Sequence, residues 1–344
     1  MGKTVLVTGA AGALSGRFAR HLGRDPEVDR VIAVDSRPPG HSLAGAEFVR
    51  ADIRHPAIAA VLAGYDVDTV VHLDISGTAG HPGGGRTAAK ETNVLGTLQL
   101  LGACQKTPSL RRLVVKSSTQ VYGTSPREPA VFHENSPPKM PAGGGFAQDI
   151  AEIEGYTRSF ARRRPDVSVT VLRFAHILGP SGDSPLAAYF RLPVLPTVLG
   201  YDPRLQFVHE DDAVGVLAAV AREPRRGQFN DGTFNVAGEG VLLLSQAARR
   251  LGRPTVPVLS PFTGVVGSSL GALGLRGVSA AQLKALRYGR VVRTTELREV
   301  AGCTLGWTTA ETLADFAAVH GPGLLPPSGV ARVIERIEES LRHG

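Results

Sequence analysis

Two glycines three residues apart, in Thr8-Gly9-Ala10-Ala11-Gly12, follow the β-branched run Thr4–Val7 and precede a helical pattern at Ala13–Leu22; no other feature constrains the fold of this chain as strongly. A strand that turns on side-chain-free residues into a helix brings backbone N–H groups and the helix's positive end to one point. That geometry suits a pyrophosphate, with Gly9, Ala11 and Gly12 as the expected contacts. Asp35 closes the next strand, where a carboxylate accepts from the ribose hydroxyls of NAD and repels a 2′-phosphate. NAD is therefore the expected cofactor, while Arg37 keeps NADP open as the lesser alternative. Asp52, in Ala51-Asp52-Ile53, is open between a contact to the adenine amino group and a helix N-cap.

Short β-branched runs alternate with helical periodicity through the first half of the chain. Strands are expected at Thr4–Val7, Arg30–Asp35, Glu47–Arg50, Thr69–Leu73, Leu113–Ser117 and Ser168–Arg173, and helices at Ala13–Leu22, Ala88–Cys104 and Phe146–Arg163. The order implies an α/β fold, a Rossmann-like doubly wound parallel sheet. Beyond Arg173 the texture changes, with Gly and Pro clustered at Gly179-Pro180, Pro193–Gly200 and Pro254–Phe262. The expected organisation is a nucleotide-binding domain over residues 1–173 and a smaller substrate lobe over 174–344, with some chain crossing back to the sheet.

Bulk properties exclude several other classes. The 41 glycines and 24 prolines fit many tight turns, and Cys104 and Cys303, the only cysteines, are too few for a disulfide framework or a metal knuckle. A reducing cytoplasm is the expected compartment. The N-terminus runs from Met1-Gly2 straight into Lys-Thr-Val-Leu-Val, so no export signal is expected. Val258–Leu275 carries Pro261, four glycines and several serines, and reads as a loop plus a short helix in place of a membrane span; Val330–Arg342 reads as a surface helix. The net charge of +7 is scattered, apart from Arg162-Arg163-Arg164 at an expected helix end, and no aromatic stacking pattern accompanies it. No specific nucleic-acid partner follows from it.

Further motifs fall in a fixed order: Asp52-Ile53, Val71-His72-Leu73, Asn93-Val94-Leu95-Gly96-Thr97, Ser117-Ser118-Thr119-Gln120-Val121-Tyr122-Gly123, Leu172-Arg173 with Gly179-Pro180, and Phe207-Val208-His209-Glu210-Asp211-Asp212. With the glycine turn and Asp35, these make the chain resemble the extended short-chain dehydrogenase/reductases, the NAD-dependent epimerase/dehydratase group that acts mainly on nucleotide sugars. The resemblance implies cofactor contacts along Gly9–Gly12, Asp35, Asp52, Ile53, Leu73, Asn93 and Ser117, and a homodimer formed by the helices near 88–104 and 146–163. One departure lies in the fingerprint itself. The third family glycine falls at Ser15, with Gly16 after it, and because that glycine permits close helix–sheet packing, a serine is expected to shift the helix slightly.

A second departure concerns the chemistry. The family has a Tyr and a Lys four residues apart on a helix, preceded by a Ser or Thr on an earlier strand. That spacing puts phenol and ammonium on one face, where the cation favours the phenolate. Ser118 matches the hydroxyl position, but Phe146 and Ile150 stand at the Tyr and Lys positions, with Glu154 supporting the register. Neither side chain carries a proton, and the two are expected to pack as an apolar pair beside the nicotinamide. The nearest substitutes are Asp149, otherwise a first-turn helix carboxylate, and His176, otherwise a hydrogen-bonding stand-in for the Asn of many relatives. Tyr122 belongs to a turn, and Tyr156 has Phe160 where a Lys would be needed. Together with His176, Arg204, Gln206 and His209 are candidate substrate contacts, His209 being equally a backbone-satisfying residue, and Asp212 reads as the N-cap of a helix over Ala213–Ala221. Two functions stay open: an oxidoreductase or epimerase with a relocated acid–base group acting on a nucleotide-sugar-like substrate, or a catalytically inert NAD(H)-responsive scaffold.

Overall fold

The computed structural model describes residues 3–77, 86–123, 125, 127–139, 145–222, 231–259 and 286–321. Most of the 258–275 segment and all of the 330–342 segment discussed above lie outside the described residues. Strands in chain order are β1 (Thr4–Thr8), β2 (Arg30–Asp35), β3 (Glu47–Arg50), β4 (Thr69–His72), β5 (Arg112–Ser118), β6 (Ser168–Phe174), β7 (His176–Leu178), β8 (Leu195–Val198), β9 (Arg204–Leu205), β10 (Phe207–His209), β11 (Gly232–Val236), β12 (Leu242–Leu243) and β13 (Thr255–Val258). Helices are α1 (Ala13–Leu22), α2 (Ile58–Gly64), α3 (Arg86–Lys90), α4 (Thr97–Gln105), α5 (Phe146–Arg163), α6 (Pro185–Phe190), α7 (Glu210–Ala221), α8 (Leu244–Arg250), α9 (Thr295–Glu299) and α10 (Thr309–His320).

Seven parallel strands form the main sheet in the order β11-β6-β5-β4-β1-β2-β3. The chain winds outward from β1 to β3, then returns through β4 to β6, so strand order reverses between β1 and β4 and opens a crevice at their carboxyl ends. Alternation along each strand feeds two cores. Val5, Val7, Val71 and Val114 pack under α1 and α7, while Leu6, Val70, Leu113 and Val115 pack under α2, α4 and α5. A third apolar cluster, around Tyr189, Phe190, Phe207 and Phe316, fills the region beyond β6. From there the chain sends β11 back to the main sheet beside β6. Among the described residues, no helix is long and apolar enough to cross a membrane.

Two helices differ from the sequence expectation. The helix expected at 88–104 is α3 and α4 joined by a π-helical stretch, Glu91–Gly96. At its end a Cβ on Gly96 would lie 2.8 Å from Ile53 Cδ1, so the backbone approaches Ile53 closely there, and Asn93 within the widened turn bonds the loop after β4. Asp212 is not an N-cap, because α7 starts earlier, with His209 as cap accepting from Asp211 N. Asp212 instead accepts from the backbone N–H groups of Gly306 and Trp307.

Candidate functional site

The turn after β1 is built for close approach. Gly9 has φ +76°, and a Cβ there would lie 2.9 Å from Asp74 Cα. Gly12 caps α1 with extended backbone and no side-chain hydrogen bond, and the first turn of α1 holds no acidic residue, so its leading N–H groups are left for an anion. Ser15 donates its single hydroxyl hydrogen to Gly9 O, with Gly12 O also within reach at 3.2 Å. Close packing on the helix has moved to Gly16, over which the His41 ring sits. Asp35 accepts from Ala11 N at 2.9 Å and Arg37 N at 3.0 Å, one bond to each carboxylate oxygen, which leaves a lone pair on each.

These residues wall a cleft of about 680 Å³ together with Leu73, Asp74, Asn93, Lys116, Ser117 and Ser118. Within it, Asn93 braces the loop after β4, exchanging 3.0 Å hydrogen bonds with the backbone of Ser76 and donating to Asp149. The Ser117 hydroxyl faces away and donates to Glu154 at 2.6 Å. Asp52 and Ile53 are not in this wall. Arg54 grips the Asp52 carboxylate with bonds of 2.6–3.0 Å and holds it below the usual carboxylate range, while Ile53 is buried against Gly96. The N-cap alternative for Asp52 is also unrealised, since α2 begins at Ile58 behind Ala57.

A second cleft, of about 340 Å³, adjoins the first, and Ser76, Gln120, Phe146 and His176 belong to both walls. Phe146 is half-buried at this junction, its ring 3.2 Å from the place of a Cβ on Gly77. Ile150 lines neither cleft and is fully buried in the core. Phe146 packs against the apolar cluster that holds Ile150, but of the two only Phe146 reaches the clefts. Ser118 is half-buried in the first cleft and accepts from Gln120 N at 3.2 Å. Asp149 is fully buried and held by both ends of the Arg86 guanidinium, at 2.7 and 2.5 Å, as well as by Asn93. Arg204 and Gln206 line the second cleft, Gln206 accepting from Val292 N at 2.8 Å. His209 lines neither; it stacks on Trp307 at 4.1 Å and reaches Asp315 at 3.1 Å, the backbone-satisfying role of the two it was given. Tyr122 is buried in a network, donating to Asn235 at 2.7 Å and accepting from Arg173 at 2.8 Å.

The electrostatics single out groups that sequence reasoning missed. Arg290 lines the second cleft; burial pushes its guanidinium down to about 10, and its one hydrogen bond among the described residues is to Gly123 O at 3.5 Å. His176 is pushed down to about 3 by burial and then by Arg290, so the imidazole at the junction is neutral near pH 7. Burial, then Asp35, raises Asp74 to about 6, and burial lowers Lys116 to about 8 against the pull of Asp74 and Asp183. No motif or spacing marks these two, because only strand register brings them beside the glycine turn.

His72, two residues before Asp74, lies between Thr8 and Thr97 at 2.8 Å from each hydroxyl, and burial holds it down to about 3. An unfolded His72 takes up a proton below about 6.5 that the fold refuses, so its contribution is full above that pH and fades as pH falls towards 3. Asp74, with its raised carboxyl, acts in the opposite sense, so the comparison is with a variant lacking the imidazole. Between pH 7 and pH 5 the stability of the wild type is expected to fall by about 2 kcal/mol relative to His72→Gln, read from urea midpoints at both pH values. An unchanged difference would show that His72 charges inside the fold.

Residues 5–237 match the model of the NAD dependent epimerase/dehydratase family. The chain is 44% identical over 328 residues to the uncharacterized protein Rv0501 of Mycobacterium tuberculosis, covering 94% of this chain and 85% of that one. Its fold is similar to the UDP-glucose 4-epimerase of Thermotoga maritima with UDP-glucose, at a TM-score of 0.71 and 19% identity over 92% of this chain and 98% of that chain. It is likewise similar to the UDP-glucuronic acid 4-epimerase of Bacillus cereus in complex with UDP-glucuronic acid and NAD, at a TM-score of 0.70 and 16% identity over 92% and 98%.

Proposed function

Because the chain belongs to the NAD-dependent epimerase/dehydratase family, we propose that it binds NAD(H) in the larger cleft and a nucleotide-sugar-like ligand in the adjoining one, with a degenerate Tyr/Lys site between them. Residues 1–173 supply the cofactor side, with Gly9, Ala11, Gly12, Asp35, Leu73, Asn93 and Ser117 in its wall. Residues 174–344 supply most of the ligand side, where His176, Arg204, Gln206 and Arg290 offer neutral and cationic hydrogen-bonding groups to a sugar diphosphate. NAD, when bound, supplies a hydride acceptor and donor. The uncapped N-terminus of α1 and the open lone pairs of Asp35 fit its diphosphate and ribose.

The observation that carries this reading is that the two clefts meet at Phe146, a ring that cannot move a proton. Neither substitute repairs that. Asp149 is sealed behind Arg86 and Asn93, and an imidazole held near 3 is a weak base and is uncharged as an acid at neutral pH. The reading is therefore of an NAD(H)-responsive binding protein without the family's proton shuttle. A relocated chemistry is the second reading, favoured by one observation: the His176 imidazole faces both clefts with no hydrogen bond among the described residues. The proposed assembly is a cytoplasmic homodimer through the helices at 86–105 and 146–163, which the exposure of Leu95 and Leu98 supports.

Native mass spectrometry of the freshly purified protein is expected to show a dimer carrying NAD, and UDP-sugars incubated with it are expected to be recovered unchanged by chromatography, with no change at 340 nm above background. Turnover that His176→Ala abolishes would replace the inert reading with the relocated one. Failure of calorimetry to detect binding of either dinucleotide would overturn the cofactor assignment.

A further inference from the structure

The larger cleft contains a cation that neither the glycine turn nor the missing Tyr/Lys pair accounts for. Thr8 pairs with His72 and His72 with Val115, so one residue further along each strand Gly9, Leu73 and Lys116 stand side by side at the sheet's carboxyl edge. Val7, Val71 and Val114, two residues earlier, share the core under α1. The period of two therefore directs Lys116 to the same face as the phosphate-binding turn. It stands two strand spacings from Gly9, on the order of 10 Å, a gap that a four-carbon stem narrows.

Lys116 lines the larger cleft with Gly9, Gly12 and Asp35, and does not line the smaller one. Its ammonium makes no hydrogen bond and no ion pair within 4.0 Å among the described residues. Asp74 and Asp183 attract it only through the intervening space. Lys116 is half-buried, and an ammonium partly withdrawn from water without a partner is stabilised by an anion within its reach. On α5, the position that gives the family its cofactor-facing lysine is Ile150, buried in the core.

We infer that Lys116 donates a charge-assisted hydrogen bond to the cofactor's diphosphate, supplying from β5 the positive charge that α5 lacks. This rests on the cofactor reading above and extends it to one residue. Lys116 is a binding residue and not a relocated proton donor, because the smaller cleft, where a sugar would react, does not reach it. Asp74, pressed against Gly9, works against the phosphates, and Lys116 offsets it.

Calorimetry on the full chain tests this with NAD and with adenosine, which lacks the diphosphate. Lys116→Met is expected to weaken NAD binding about 10- to 100-fold and leave adenosine unchanged, while Lys116→Arg stays within about 3-fold of the wild type. Asp74→Asn keeps the lysine and is expected to tighten NAD a few-fold, an arm that stands even if Lys116→Met fails to fold. Equal NAD affinity in the wild type and Lys116→Met, or weaker binding in Asp74→Asn, overturns the inference and leaves the cofactor reading in place. A wild type that binds no dinucleotide overturns the cofactor reading itself.

Discussion

Replacing Ile150 with lysine, the residue that the proposed degenerate site lacks, is expected to destabilise the protein by about 4–7 kcal/mol and lower its melting temperature by roughly 10 °C or more. Ile150 is fully buried among the apolar side chains packed under α5 and lines neither cleft. Its neighbour Asp149 is already saturated by Arg86 and Asn93. A lysine there meets no unpaired carboxylate, Glu154 on the same face being held by Arg173, and must give up its proton, a shift of 3–5 pKa units at about 1.4 kcal/mol each. Phe146→Tyr is expected to cost less than about 1 kcal/mol, since that half-buried ring faces the junction and a hydroxyl enters open space. Thermal and urea unfolding of both variants decide the matter. An Ile150→Lys protein melting within a few degrees of wild type would mean that this face of α5 opens towards the cofactor.

The second large effect is expected at Glu154, four residues further along α5. Its carboxylate accepts from Arg173 at 2.9 and 2.7 Å and from Ser117 at 2.6 Å; Arg173 is 3% exposed and Glu154 1%. Arg173 also donates to Tyr122 Oη and Glu134 O and lies over the Tyr122 ring at 4.9 Å. The value of such a pair against an apolar substitute is small, but removing one partner strands the other without water. Glu154→Ala is accordingly expected to cost about 3–5 kcal/mol, while Glu154→Gln, which keeps an acceptor for Arg173, costs less. Urea midpoints measure both, and a loss below 1 kcal/mol for the alanine variant would show that water reaches Arg173.

The contrast between these two positions shows what was legible in the sequence. The bounds of α1, β2, β3 and α5 fell where periodicity and the glycine turn put them, because local pattern and tertiary packing agree there. The turn between β1 and α1 and the place of Asp35 at the end of β2 were legible for the same reason: both follow from local pattern along one strand–turn–helix unit. What escaped depends on partners distant in sequence. The close approach of Gly96, which ends the π-helical stretch, is to Ile53; the sealing of Asp149 needs Arg86 across 63 residues, and the turning of His209 needs Trp307 and Asp315. Lys116 gave no signal because a lysine near a strand's end usually reaches for solvent. Only its register through β4 to β1 carries it to the face of the sheet edge that the β1–α1 turn occupies.

Ser15 has a consequence beyond filling a glycine's position. Its hydroxyl ties the carbonyl of Gly9 from inside the loop, with that of Gly12 also within reach, so the recognition turn keeps one shape before anything arrives. A preorganised loop surrenders little conformational entropy on capture, and the free energy saved appears as a longer residence time. For the dinucleotide proposed to bind there, slow release is the expected consequence, read by chasing the bound cofactor with an excess of free NAD.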